Sequence, residues 1–282
     1  MAIQPAVDPS SPLGIFDSGV GGLSVLRAVR ARLPGESAHY FADQGHVPYG
    51  QRSLAEVRAF SEGAARFLLG RGVKLIVVAC NTASAAALHF LRERFPETPF
   101  VGMEPAVKPA AETTHSGVVG VLATPATFQG ELYASVLERF AQGVTVLQET
   151  CPGLVAQIES GALDAAETRQ ILERALQPML ARGADTLVMG CTHFPFVIPL
   201  IQQIAGPGVR VIDPAPAVAR QVERVLASRS LLNPAKTPGR LNFYTSGDQN
   251  GLRALLPRLL GEGGPLQEVT WDGEPPRLAE PR

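Results

Sequence analysis

Val73-Lys74-Leu75-Ile76-Val77-Val78-Ala79-Cys80-Asn81-Thr82 is apolar up to Ala79 at every position but Lys74, and then turns polar. A short apolar run without alternation is the pattern of a strand buried on both faces, as in a parallel sheet covered by helices. Leu187-Val188-Met189-Gly190-Cys191-Thr192-His193 repeats the arrangement more than a hundred residues later. Both runs end in a cysteine followed by residues that can begin a helix. The chain has three cysteines, so two of them occupy the same kind of boundary.

Outward from these runs, short β-branched segments alternate with helical patterns, the mark of βαβ units. Residues 13–16 form a first expected strand, and Asp17-Ser18-Gly19-Val20-Gly21-Gly22 leads into a helix through Arg32. Residues 39–42 are a second strand. Ser53-Leu54-Ala55-Glu56 has the spacing of a capping box and opens a helix stopped by Gly70 and Gly72. Strand 73–79 follows. In the second half, 118–122 is a strand, Thr124-Pro125-Ala126-Thr127 a loop, 128–140 a helix, 164–183 a helix, and 186–189 a strand. A helix to about 204, a strand at 209–212, a helix at 216–227 and a strand at 241–245 complete the pattern. Asp17 and Cys80 are 63 residues apart, and Thr124 and Cys191 are 67 apart. The expectation is an α/β protein of two pseudo-symmetric lobes, each a mostly parallel sheet flanked by helices. The first lobe is discontinuous, 12–104 plus 213–272, and the second is 105–212. Residues 1–11 and 273–282 are Pro-rich or polar and are expected to be loose termini.

Composition narrows the partners. The 282 residues carry 25 basic and 26 acidic side chains and are 45% apolar, so a large core is available and no global field attracts nucleic acid or anionic membrane. No run of five basic residues occurs. The first residues have neither the charged nor the apolar region of a signal peptide, and no apolar stretch approaches the roughly 18 residues of a membrane span. Three cysteines do not make a secreted disulfide framework, which points to a cytoplasmic setting.

In open parallel sheets ligands bind at the carboxyl ends of the strands, which is where Cys80 and Cys191 stand. A following helix start is expected to favour thiolate and lower each pKa. Four explanations compete. Cysteine is often a small core residue. Cys80, Cys191 and His193 offer three metal ligands, but without CxxC, HxxxH or HxxE spacing. A transient disulfide has no CxxC behind it. Two isolated thiols on opposite walls of a cleft suit a base on one face of a carbon and an acid on the other, that is, inversion of a stereocentre. Asp17 is either an N-cap or a group that orients a ligand. Gly19-Val20-Gly21-Gly22 lacks the spacing and lysine of a phosphate loop. Tyr49, in the Pro48-Tyr49-Gly50 turn, is otherwise an ordinary loop aromatic. His193 is the histidine assigned a function, with His39, His46, His89 and His115 structural or at the surface.

Taken together, Gly14-Ile15-Phe16-Asp17-Ser18-Gly19-Val20-Gly21-Gly22-Leu23, Pro48-Tyr49-Gly50, Ala79-Cys80-Asn81-Thr82-Ala83, Glu104-Pro105, Cys151-Pro152-Gly153 and Met189-Gly190-Cys191-Thr192-His193 resemble the glutamate racemase family of the aspartate/glutamate racemase superfamily. The resemblance spans roughly residues 13–245. It implies an isomerase that racemises L- and D-glutamate by two bases without a cofactor or metal, in a cleft between the lobes, supplying D-glutamate for peptidoglycan. It further implies that Cys80 serves the D-face and Cys191 the L-face, with Asp17 behind the first thiol and His193 and Glu159 assisting the second. Asp17, Ser18, Pro48, Tyr49, Gly50, Asn81, Thr82, Thr192 and His193 match substrate-contacting positions, with Thr124 and Thr127 as second-lobe contacts. Family members commonly form homodimers. Ala42-Asp43-Gln44-Gly45-His46-Val47 departs from the Gly-Asp and basic residue that many members carry, and Cys151 is expected to be structural. Racemisation of aspartate or another acidic amino acid is the nearest alternative, and a non-catalytic two-lobe amino-acid-binding protein is another. With three lysines and none in a recognisable motif, a pyridoxal enzyme is disfavoured.

Overall fold

The computed structural model describes residues 7–273 and 276–279. Strands β1 (Leu13–Asp17), β2 (Ala38–Ala42), β3 (Leu75–Val78) and β4 (Phe100–Gly102) are joined by α1 (Leu23–Arg32), α2 (Leu54–Leu69) and α3 (Asn81–Arg94). After α4 (Val107–Thr113) come β5 (Val118–Ala123), α5 (Pro125–Gln129), α6 (Glu131–Phe140), β6 (Thr145–Glu149), α7 (Leu154–Glu159), α8 (Ala166–Ala181), β7 (Thr186–Gly190), α9 (Ile198–Ala205) and β8 (Arg210–Ile212). The chain then adds α10 (Ala215–Ser228), β9 (Leu241–Thr245), α11 (Gln249–Leu259), β10 (Leu266–Glu268) and a hairpin of β11 (Thr270–Asp272) and β12 (Arg277–Ala279).

One sheet has the order β10-β9-β2-β1-β3-β4 and the other β6-β5-β7-β8, all pairs within them parallel. The second order repeats the β2-β1-β3-β4 portion of the first, which is the pseudo-symmetry anticipated from the spacing. In each lobe the winding direction reverses beside the first strand, between β1 and β3 and between β5 and β7. Those are the crevices where doubly wound sheets bind ligands.

Burial on both faces explains the unbroken apolar runs. All five residues of β1 and of β7 and all four of β3 are buried. Ser53 caps α2 as a capping box with Glu56, as its spacing implies. The other edge strands were harder to read than β8: β6 exposes Thr145 and Gln148, and β4 and β10 are only three residues long.

Several boundaries differ from expectation. Strand 73–79 contracts to Leu75–Val78. Thr124 to Thr127 is not a loop, because Thr124 caps α5 and Pro125 occupies its first position, where the missing N–H costs nothing. The helix expected over 128–140 is two helices that meet at Gly130. The segment after Cys191 starts as a 3₁₀ turn, Phe194–Val197, before α9. Residues 277–279, assigned to a loose terminus, pair with 270–272, and Trp271 and Leu278 pack on the aromatic core of the first lobe. Asp8 accepts N–H bonds from Ser10 and Ser11, and the Pro9 carbonyl takes the Lys74 ammonium at 2.6 Å, so 8–11 are tied down as well. The rest of the terminal expectation, 1–6, 274–275 and 280–282, lies outside the described residues. Among the described residues no helix is long and apolar enough to cross a membrane.

Lys74, the one charge in its apolar run, meets Glu36 at 2.6 Å with both side chains buried. Removing one partner strands the other charge, so Lys74→Ala should destabilise the fold by about 3–5 kcal/mol in urea unfolding, whereas Lys74→Met with Glu36→Leu should cost much less. Equal losses in the two variants would contradict this account.

Candidate active site

Four side chains stand where the two sheets reverse. Asp17 ends β1. Cys80 follows β3 and caps α3, its Sγ accepting the Ala83 N–H at 3.4 Å. Thr124 follows β5 and accepts the Thr127 N–H at 3.3 Å. Cys191 follows β7 directly. Cys80 and Cys191 open on one cavity of about 290 Å³, lined also by Ser18, Pro48, Tyr49, Gly50, Asn81, Thr82, Thr124, Thr127, Val155, Gly190, Thr192 and His193. Of the residues expected in the site, Asp17 and Glu159 stand behind the wall and the others line it.

The lobes are tied together around this cavity. Thr192 Oγ1 donates to Asp17 Oδ1 at 3.1 Å, and Ser24 Oγ donates to the Thr192 carbonyl at 2.9 Å. Thr82 Oγ1 lies 2.9 Å from Thr124 Oγ1, which lies 2.9 Å from Thr127 Oγ1. Glu159, on the second lobe, accepts the Val20 N–H at 2.8 Å and pairs with His193 Nε2 at 2.6 Å. Its other oxygen accepts Gln44 Nε2 at 2.9 Å, and Thr245 Oγ1 orients that amide through a 2.9 Å bond to Oε1. The glycines of the 19–22 loop serve this closure. A Cβ on Gly19 would stand 1.9 Å from Glu159 Oε1, and one on Gly21 2.4 Å from His193 Nδ1. Their small size admits side chains of the opposite lobe.

Burial pushes Cys80 well above the usual thiol range, the Asp17 charge adds to it, and the Ala83 N–H only partly offsets both. This corrects the expectation that the helix start lowers its pKa: one amide does not outweigh desolvation in a dry pocket. Burial likewise raises Asp17, against the pull of His193 and of the Gly19 N–H. His193 is held well above 6.5, because hydrogen bonds to Cys191 and Glu159 outweigh the opposing effect of burial. Glu159 is held low: burial raises it, and the His193, Gln44 and Val20 contacts more than compensate. His193 thus bridges Glu159 and Cys191, with Nδ1 3.7 Å from the sulfur, and these contacts favour its protonated form.

The His193 share of this pair's stabilisation is complete below pH 6.5 and is lost as pH climbs through the raised folded value. The Glu159 share is present above 4.5 and is lost as pH falls through the lowered one. His193→Gln should therefore lower the melting temperature most between pH 4.5 and 6.5, where both shares are complete, with the gap to wild type narrowing on alkalinisation. A gap that widens with pH would contradict the ion pair.

Both amide atoms of Asn81, a 4% exposed residue lining the cavity, lack a hydrogen-bond partner among the described residues. Unsatisfied buried amides are uncommon, and a ligand with donor and acceptor groups would satisfy this one. Reading the residues alone missed Asp43, Gln44, Val155 and Thr245. Asp43 and Gln44 follow β2 directly, so the strand-end rule that singled out Asp17 and Cys80 also pointed to them. Cys151 is buried, pushed up to about 12 by burial and the nearby Glu149 charge, and joins the hydrophobic core. All three cysteines are free, and among the described residues no group of three or more His, Cys, Asp or Glu side chains is placed to hold a metal ion.

Comparison with known proteins agrees with this geometry. A glutamate racemase of Roseiflexus is 53% identical over 249 residues, 88% of this chain and 92% of the relative. The fold superposes on the Francisella tularensis glutamate racemase in complex with D-glutamate (TM-score 0.81, 30% identity, 93% of this chain and 98% of that one). It superposes equally well on the Escherichia coli glutamate racemase in complex with L-glutamate and an activator (TM-score 0.80, 33% identity, 93% and 100%). Fold, site and relatives define an amino-acid racemase, an isomerase. The family model for Asp/Glu/Hydantoin racemases matches residues 23–222, and the chain belongs to that family.

Proposed function

We propose that this chain racemises glutamate, interconverting the L and D forms by proton transfer between two thiols without an added cofactor. The observation that carries the reading is one small cavity shared by Cys80 and Cys191, which stand at equivalent strand ends of two like lobes. Like-folded relatives in complex with L-glutamate and with D-glutamate support the same substrate.

On this reading Cys191 takes the α-proton of L-glutamate while Cys80 delivers one from the opposite face, and the roles exchange for D-glutamate. The asymmetry of the site suits that division. Burial keeps Cys80 protonated as the acid for the L-to-D direction, with Asp17 behind it. Cys191 has His193 beside it, anchored by Glu159. The α-C–H is a weak acid, so a carbanionic transition state needs preorganised donors and little water. Ser18, Asn81, Thr82, Thr124, Thr127 and Thr192 supply neutral donors, with Pro48, Tyr49 and Gly50 as the remaining wall.

We further divide the lobes at 104/105 and 212/213, a division supported by sheet membership and by the packing of α10 on α1. A cytoplasmic homodimer supplying D-glutamate for peptidoglycan follows from the family resemblance. The direct test is circular dichroism of L- and of D-glutamate with the purified protein and no cofactor, with aspartate alongside. Both glutamate solutions should converge on zero ellipticity with α-hydrogen exchange in D2O. Binding of glutamate without change in optical activity would sink the proposal.

A further inference from the structure

The wall residue Tyr49 is held by a buried acid that distant parts of the chain share. Its hydroxyl turns away to donate to Asp43 Oδ2 at 2.6 Å, and Asp43 is fully buried. The same carboxylate accepts the indole N–H of Trp271 at 2.7 Å and the Ser246 hydroxyl at 2.5 Å, with His46 Nδ1 3.0 Å away. Four side chains from three separate parts of the chain thus converge on one acid. Trp271 belongs to the β11–β12 hairpin, far from the cavity in sequence, and its ring has a prepared seat. A Cβ on Gly63 of α2 would lie 2.4 Å from the indole, and Phe41, Phe60 and His46 surround the ring with centroids 5.4–6.3 Å away.

We propose that the C-terminal hairpin is part of the active-site framework: Trp271 is a positioning residue that, through Asp43, holds Tyr49 and the Pro48-Tyr49-Gly50 wall in place to receive substrate. The physical basis is that a buried carboxylate orients its donors strongly, and removing one donor loosens the rest. Trp271 touches no reacting atom, so its effect falls on how the wall presents itself to glutamate and not on proton transfer.

Trp271→Phe keeps an aromatic ring in the seat and deletes the N–H. The expected result is a KM for glutamate raised about tenfold with kcat changed much less, since a lost charge-assisted hydrogen bond is worth about that factor. In a Tyr49→Phe background the same substitution should change KM less than about threefold, because both act through Asp43. Trp271 is the chain's single tryptophan, so its fluorescence reports on the hub without labelling. Saturating glutamate should shift that emission in wild type, and Tyr49→Phe should abolish the shift, a readout that stands even if Trp271→Phe fails to fold. Wild-type KM in Trp271→Phe, an equal fall in kcat and kcat/KM, full additivity in the double variant, or an unchanged shift in Tyr49→Phe would each overturn the proposal. It rests on the glutamate reading, and the wild-type control separates the two: an inactive wild type sinks that reading, whereas an active wild type with an indifferent variant sinks this one.

Discussion

A Cys80→Ser, Cys191→Ser enzyme should lose racemisation almost completely, and the two single variants should fail in different ways. A positioned acid or base contributes about 10²–10⁴ in rate, and groups acting in one step are not additive, so each single variant should already fall by roughly that factor. The difference lies in proton exchange. With Cys80 replaced, Cys191 still meets the α-proton of L-glutamate, so deuterium should enter L-glutamate faster than D-glutamate appears. With Cys191 replaced, D-glutamate should show the excess exchange. Proton NMR in D2O, started from each enantiomer, measures both. Unchanged turnover in the double variant would remove the two-thiol mechanism, and identical exchange in the two single variants would remove the assignment of faces.

Gly19→Ala should come next in size. Its methyl carbon would stand 1.9 Å from Glu159 Oε1, closer than non-bonded heavy atoms can approach, and the backbone of that loop also supplies the Val20 N–H to the same oxygen. Either Glu159 withdraws from His193 or the lobes part. A displacement near an ångström at a catalytic constellation costs on the order of 10²-fold in rate. We expect kcat/KM to fall by about that factor with far-ultraviolet circular dichroism unchanged. Gly208→Ala, where the added methyl meets nothing within 4 Å, is the control expected to behave as wild type. A Gly19→Ala enzyme with normal kinetics would show that the tight closure around Glu159 is not needed for turnover.

The glycine loop illustrates how far residue patterns reach. Gly19-Val20-Gly21-Gly22 suggested a phosphate cradle and failed on spacing, but nothing local could say what the missing side chains make room for. The occupants, Glu159 and His193, come from the other lobe, 140 and more residues away. Glu159 lies on α7, a six-residue helix with no periodicity to mark it, so it emerged only from the family motif around Cys151-Pro152-Gly153. The central strands were readable because burial on both faces forces them apolar. The edge strands β4, β6 and β10 were not, because one side of each escapes that constraint. The C-terminal hairpin escaped notice for a related reason: its polar, Pro-rich composition outweighs the single tryptophan that anchors it.

What the amino-acid sequence determined by itself is local and periodic. The paired apolar runs, their matched spacing and the cysteine at the end of each follow from which side chains a buried parallel strand accepts and from where such strands end. Those features were enough to define two like lobes, place both thiols at a ligand-binding edge and point to stereocentre inversion. Only the tertiary structure decided how the two ends face each other. Thr192 reaches Asp17, Glu159 is shared by Val20, Gln44 and His193, and Trp271 reaches Asp43, all across long stretches of chain. It also decided the character of the first thiol. A helix start by itself favours thiolate at Cys80, whereas desolvation and the Asp17 charge, properties of the packed site, push its pKa up.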